Sequence, residues 1–363
     1  MNLKTSFTQT NDHKLEELIN FEVNFVTQVI KDILGEKLVS IWLIGGYGRG
    51  EGGVDSVSGK KVPKNNYDFL VVLDKRLITQ KMRGELIKKV VEMTQSHISI
   101  PLEISLRSFK QAKKTENIMI YRDILNSSYT AYGLKPEEVM PLQKGEQLPK
   151  VEALKIIRNR GMLLMASEEN LGHYGYDSNP KQKKIWRAKA VIGYVDALLI
   201  IKNKYVTSYK EKNDTFQSLD VSDILNPFEE NLLKKSMSLA TQYRFFGDTD
   251  TEVLFGEDIM EILQKVHSHV KSLLNIELPR RLGELKLYFQ SEGFLRVFRN
   301  VVYNIVSFRF IKLPLLFVHP RDQLNFIVPY LFYKKEVPAT VRREFRHLSC
   351  REKALETYVR YLV

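Results

Sequence analysis

Cysteine is all but absent, with Cys350 the only one in 363 residues. That excludes an internal disulfide framework and a cysteine-based zinc cluster. The start, MNLKTSFTQTNDHK, has no apolar core of the signal-peptide kind, so the expected location is cytoplasmic. Long apolar runs are missing too. The most apolar late stretch, Val301 to Val318, carries Arg309 and Lys312 and is broken by Pro314, so no transmembrane segment is expected. Acidic residues are in the minority, 43 against 55 Lys and Arg, which leaves a formal charge of +12. Such an excess suits a polyanionic partner, whether nucleotide phosphates, nucleic acid or an acidic membrane face; it is equally the mark of a solvated lysine surface.

What is present is ample material for packed cores: 44% apolar and 10% aromatic residues in a chain longer than one core usually serves. Apolar spacing predicts an amphipathic helix over Leu15 to Leu34, ended by Gly35. A strand over Val39 to Ile44 follows, then the glycine-rich GGYGRGEGG and a surface loop or hairpin, VDSVSGKKVPKN. A buried strand at 67–74, a helix through Glu85 to Met93 and a strand at 98–106 complete a small mixed α/β region. From Val151 the periods lengthen into helices at 151–168, 180–202, 228–246 and 258–274, with more beyond. SEENLGHYGYDSNPKQKK and TSYKEKNDTFQSLDVSD read as polar connections. No internal repeat is visible. The expectation is an α+β protein with domains at 1–145 and 146–363, the second mostly helical.

A strand running into glycines and then a helix exposes backbone N–H groups to an anion, and side chains there would hold a phosphate off. Two familiar phosphate loops do not fit. No Lys and hydroxyl pair closes a GxxxxGK[ST] motif, and no ribose-binding acid follows about twenty residues on within a βαβ unit, as a dinucleotide fold requires.

GGYGRGE, positions 45–51, followed by a strand that carries Asp68, resembles the signature of the nucleotidyltransferase superfamily with the polymerase-beta type fold. The loop wording is similar to that of bacterial PII-protein uridylyltransferases, over roughly positions 39–106. The resemblance implies a mixed sheet with flanking helices. It also implies Mg²⁺ held by strand carboxylates, a nucleoside triphosphate as substrate, and phosphates bound by Gly45, Gly46, Gly48, Arg49 and Gly50. The metal positions that match are Asn66, Asp68 and Glu103, with asparagine where the family has its first aspartate. An asparagine carbonyl can ligate a hard cation but brings no charge. Each residue also has a plainer reading: Asp68 as a turn cap, Glu103 as an edge glutamate, Arg49 as a tie between loop and sheet, Tyr47 as packing. Glu51 reads as a helix-start acid, and Asp55 as a distant substitute for the missing aspartate.

In the helical half, Lys189, Gly193 and Asp196 share one face at i, i+4 and i+7, and an acid in so apolar a helix is costly unless paired or facing a cleft. The layout is similar to kanamycin-type nucleotidyltransferases, where a helical domain completes the site. By that likeness Asp196 is a candidate base and Lys189 a candidate nucleotide contact; a buried Lys189–Asp196 ion pair is the other reading. Arg158, Arg160, Lys181, Lys183, Lys184 and Arg187 form a basic concentration. His267 and His269, two apart on a helix, face different ways and cannot form an i, i+4 metal pair. The tail, GFLRVFRNVVYNIVSFRF and RREFRHLSCREK, mixes arginine with aromatics, a texture of RNA-binding surfaces and of basic bundles alike.

The sequence thus points to a Mg²⁺-dependent transfer of NMP to an unidentified acceptor, be it small molecule, protein or RNA. The alternative is a nucleotidyltransferase-fold protein that binds nucleotide, protein or RNA without turnover.

Overall fold

The computed structural model describes residues 6–74, 80–141, 147–168, 180–247, 257–274, 294–307 and 323. The polar segment at 169–179 and the arginine-rich tail at 308–322 and 324–363, with Cys350, lie outside them. The protein is α+β, and its contacts divide it into two units. The first comprises Met1–Pro149 together with Asn203–Ser218 and Thr241–Asp250; the second comprises the rest. Two segments beyond position 146 therefore belong to the first unit.

The first unit opens with α1, His13–Leu34, where Asp12 caps the start by accepting from the Leu15 N–H and Gly35 ends the helix at φ 50°. Leu15, Ile19, Val23, Val26 and Ile30 recur along its buried side and cover one face of the sheet. Next come β1 (Leu38–Ile44) and a single short helix, α2 (Gly45–Arg49). β2 (Val54–Val57) and β3 (Lys60–Pro63) form a hairpin whose turn residues, Ser58 and Gly59, both have positive φ. β4 (Tyr67–Leu73), α3 (Gln80–Thr94), β5 (Leu102–Ser108), α4 (Phe109–Ala112), α5 (Met119–Ser127), β6 (Tyr129–Gly133) and α6 (Pro136–Val139) follow. β5 starts four residues later than the alternation at 98–106 predicts, at Leu102, where its pairing with Tyr67 of β4 begins.

The sheet runs β5-β4-β1-β6, with β4 parallel to β5 and antiparallel to β1, and β6 antiparallel to β1. From Phe69 to Leu73 β4 is apolar and buried, because both its faces are covered there; Asp68, near its start, is the exception. Phe69, Val71 and Leu73 join the α1 side, while Leu70 and Val72 meet Trp42, Ile124 and Val139 on the other. Full burial of side chains such as Ile41 and Val71 contributes about 1.5–3 kcal/mol each.

The stretch TSYKEKNDTFQ, read from sequence as a polar connection, is instead a helix, α9 (Tyr209–Gln217), whose apolar Phe216 is buried. Its start is Ser208, which accepts from Glu211 N.

The regular elements described in the second unit are all helices. α7 (Val151–Glu168) and α8 (Pro180–Ile201) pack along each other, and α11 (Glu257–Leu273) packs on both. From Ala190 to Ile200 every residue of α8 is buried, so this helix has no polar face there. α10 (Pro227–Phe246) and α12 (Phe294–Ser307) complete the described elements. Among the described residues no helix is long and apolar enough to cross a membrane.

Candidate functional site

β1 passes without a loop into α2, and the backbone makes its turn at Gly45, φ +67°. A Cβ there would lie 2.6 Å from Asp68 Oδ2, so the glycine is what lets the carboxylate approach the turn. Gly48 has a different task. A Cβ on it would stand 2.3 Å from the Leu43 carbonyl oxygen: α2 lies directly on the end of its own strand. The bare backbone expected of Gly48 as a phosphate contact is thus also required by packing against β1. Gly50, at φ 81°, ends the helix. Gly45 and Gly46 are the residues of the motif at the start of α2, on the Asp68 side.

Asp68 sits opposite Ile44 on one side and Glu103 on the other. The pairing with Glu103 is parallel and in register, which puts both carboxylates on the same sheet face with backbones about 4.8 Å apart. Glu103 is exposed and Asp68 half-buried. Asn66 Nδ2 donates to Asp68 Oδ1 at 2.7 Å. A carboxylate only accepts, so the amide must turn its NH₂ toward Asp68. Asn66 thus meets Asp68 as a hydrogen-bond donor through Nδ2, and its carbonyl is the edge that the expected metal ligation would use.

The turn that carries Asn66 is fixed from both ends. Lys64 N donates to Gly53 O (2.9 Å) and to Tyr47 Oη (2.8 Å), and Tyr67 N to Pro101 O (2.8 Å). On the opposite sheet face Tyr67 Oη donates to buried Glu22 at 2.6 Å, and its ring lies 4.9 Å from that of Tyr47. Burial drives both tyrosine hydroxyls well above their ordinary range, for Tyr67 with help from Glu22.

Arg49 and Glu51 are used structurally. Arg49 Nε lies 3.3 Å from Glu51 Oε2, its Nη1 3.8 Å from Asp123, and its guanidinium 4.6 Å from the centre of the Tyr209 ring. Burial alone would lower its pKa, but Tyr209, Asp123, Glu51 and Tyr205 together hold it above the usual value. Arg49 thus ties α2 to α5 and α9. Glu51 is a helix-start acid, though of a helix far along the chain. It accepts from Ser208 Oγ (2.7 Å), Tyr209 N (2.9 Å) and Lys210 N (3.2 Å) at the start of α9. Lys212, also buried, lies over the Tyr205 and Tyr209 rings, and Tyr205 Oη donates to Asp123 at 2.8 Å. Sequence reasoning missed α9. The signal was there in Ser208-x-x-Glu211, the spacing of a helix cap.

In the second unit Asp196 is 5% exposed and Lys189 half-buried, both on α8. The gap left by Gly193 is taken: a Cβ there would meet Arg160 Cγ at 2.3 Å, so the arginine stem from α7 crosses α8 at this point. Arg158, one of the basic concentration, is buried. His267 is a core histidine, its Nδ1 3.3 Å from Tyr194 Oη, and His269 lies 3.9 Å from Asp223.

Among the described residues no group of three or more His, Cys, Asp or Glu could hold a metal ion. The Asp68 and Glu103 pair fits one hard cation that takes its remaining ligands from water and phosphate, as Mg²⁺ does; it does not supply the acids of a larger cage. The chain matches no protein-family model and no curated protein.

Proposed function

We propose that the first unit is a nucleotidyltransferase-type site that takes a nucleoside triphosphate with Mg²⁺ and passes NMP to an acceptor hydroxyl. The observation that carries this reading is the in-register pair of Asp68 and Glu103 on one sheet face, against the glycine turn that opens α2. The excess of basic residues is in keeping with a polyanionic substrate.

In this reading Asp68 and Glu103 hold the cation, and Gly45 and Gly46 offer backbone at the start of α2 to the phosphates. The cation, when bound, neutralises charge on the triphosphate and polarises its phosphoryl oxygens. Arg49 and Glu51 act indirectly, by keeping α2 in place through α9. Asn66 keeps Asp68 aimed. A second reading, nucleotide binding without turnover, is favoured by one observation: Asn66 brings no charge where a further acid would help.

Calorimetric titration of ATP, GTP, CTP and UTP, with and without Mg²⁺, separates these from having no site at all. Mg²⁺-dependent binding by the wild type, weakened at least tenfold (about 1.4 kcal/mol) in Asp68→Ala, is the expected result. Release of pyrophosphate on adding candidate acceptors then distinguishes transfer from binding. Absence of binding with every nucleotide under both conditions rejects both readings.

A further inference from the structure

A carboxylate flanked by a hydrogen-bond donor is a different ligand from one with both oxygens open. Two cations about 3.5–4 Å apart, as in two-metal sites, are commonly bridged by a carboxylate that gives each of them one oxygen. At Asp68 the Oδ1 edge faces the Asn66 NH₂ at 2.7 Å, and Oδ2 faces Gly45. The amide hydrogens carry partial positive charge and stand where a second cation would approach Oδ1. The arrangement is built in: Asn65, at φ 76°, turns the chain, and hydrogen bonds from Lys64 N and Tyr67 N pin the residues on either side of the asparagine pair.

We infer that Asn66 is a positioning residue that makes this a one-cation site, its amide standing in for a second divalent ion at Asp68. The inference rests on the metal and nucleotide site proposed above. Charge supports it: Asp68 and Glu103 together balance one divalent cation, whereas an aspartate at position 66 would add a third negative charge beside Asp68, which only more positive charge could offset. Asn66 also keeps Asp68 aimed before any cation arrives, so the wild-type site is stable empty.

The test counts Mn²⁺ bound per chain by equilibrium dialysis with a non-hydrolysable nucleoside triphosphate, for the wild type, Asn66→Asp and Asn66→Ala. Melting temperatures are taken with and without Mn²⁺. The inference expects one Mn²⁺ in the wild type, one bound more weakly in Asn66→Ala, and two in Asn66→Asp. Without cation Asn66→Asp should melt below the wild type, and Mn²⁺ should raise its melting temperature by more. Two Mn²⁺ in the wild type overturn the inference while leaving the proposed function standing, and this holds even if the variants do not fold. A single Mn²⁺ in a folded Asn66→Asp overturns it as well. No Mn²⁺ in the wild type defeats the proposed function, and the inference falls with it.

Discussion

The carboxylate of Glu51 accepts the backbone N–H of Tyr209 at 2.9 Å across 158 residues of sequence. Through this bond and those from Ser208 Oγ and Lys210 N, a residue of the glycine motif caps a helix that comes after α7 and α8 in the sequence. Glu51→Ala removes the cap and leaves buried Arg49 with Asp123 as its acid. A loss of about 3–5 kcal/mol is expected. Glu51→Gln keeps an acceptor oxygen and should lose about 1–2 kcal/mol. Urea midpoints for the two variants, compared with the wild type, check the order; equal effects would mean that charge is immaterial there.

Arg49→Lys separates the structural account of Arg49 from the phosphate-binding one. Lysine keeps the charge but cannot face Glu51 and Asp123 with a planar fork while lying over the Tyr209 ring. Stability should fall by about 1–3 kcal/mol. A variant as stable as the wild type, but weaker in nucleotide binding, would return Arg49 to the phosphate.

Local patterns carried much of the fold. The period of α1, the apolar runs of β1 and β4, and the long periods of α7, α8, α10 and α11 are each written within one segment, and the structure has all of these within a few residues of the expected bounds. What escaped was set from a distance. α9 is short and mostly polar, and its start is completed by Glu51, so no window around Tyr209 contains the reason for the helix. Gly48 and Arg49 belong to a motif that reads as phosphate-binding, yet their environments come from Leu43, Asp123 and Tyr209. At Asp68 and Glu103, alternation along each strand could assign a face, but only the parallel register makes them neighbours. The direction of the Asn66 amide is invisible in sequence, because the same side chain can offer either lone pairs or hydrogens.

Two glycines give opposite predictions for one substitution. Gly48→Ala would press a methyl group against the Leu43 carbonyl, backbone that cannot swing aside, and should cost about 1–3 kcal/mol. Gly84, inside α3, is exposed and has nothing within 4 Å of an added Cβ, so Gly84→Ala should gain about 0.5–1 kcal/mol. Thermal melts of both variants check the signs. A neutral Gly48→Ala would show that α2 is free to lift from β1.

The last expectation concerns alkaline pH. An unfolded chain's tyrosines titrate near the ordinary value of 10.0, and burial raises both Tyr47 and Tyr67 in the fold, with Glu22 adding to the effect at Tyr67. Between the unfolded and folded values the native state holds a proton that the unfolded state has lost, so the free energy of unfolding, and with it the stability of the fold, falls as pH rises. The contribution of these neutral tyrosines is complete below pH 10.0 and is lost progressively above it. Wild-type protein should therefore unfold cooperatively on the alkaline side, with the last part of the phenolate absorbance of its 17 tyrosines appearing only as helical circular dichroism is lost. Tyr47→Phe removes one of the two groups and should flatten the alkaline limb, at the expense of neutral-pH stability, because Lys64 N loses an acceptor and Gly53 and Lys64 carbonyls lose a donor. Phenolate absorbance that reached its full value while the helices stayed intact would mean that neither hydroxyl is held in the core.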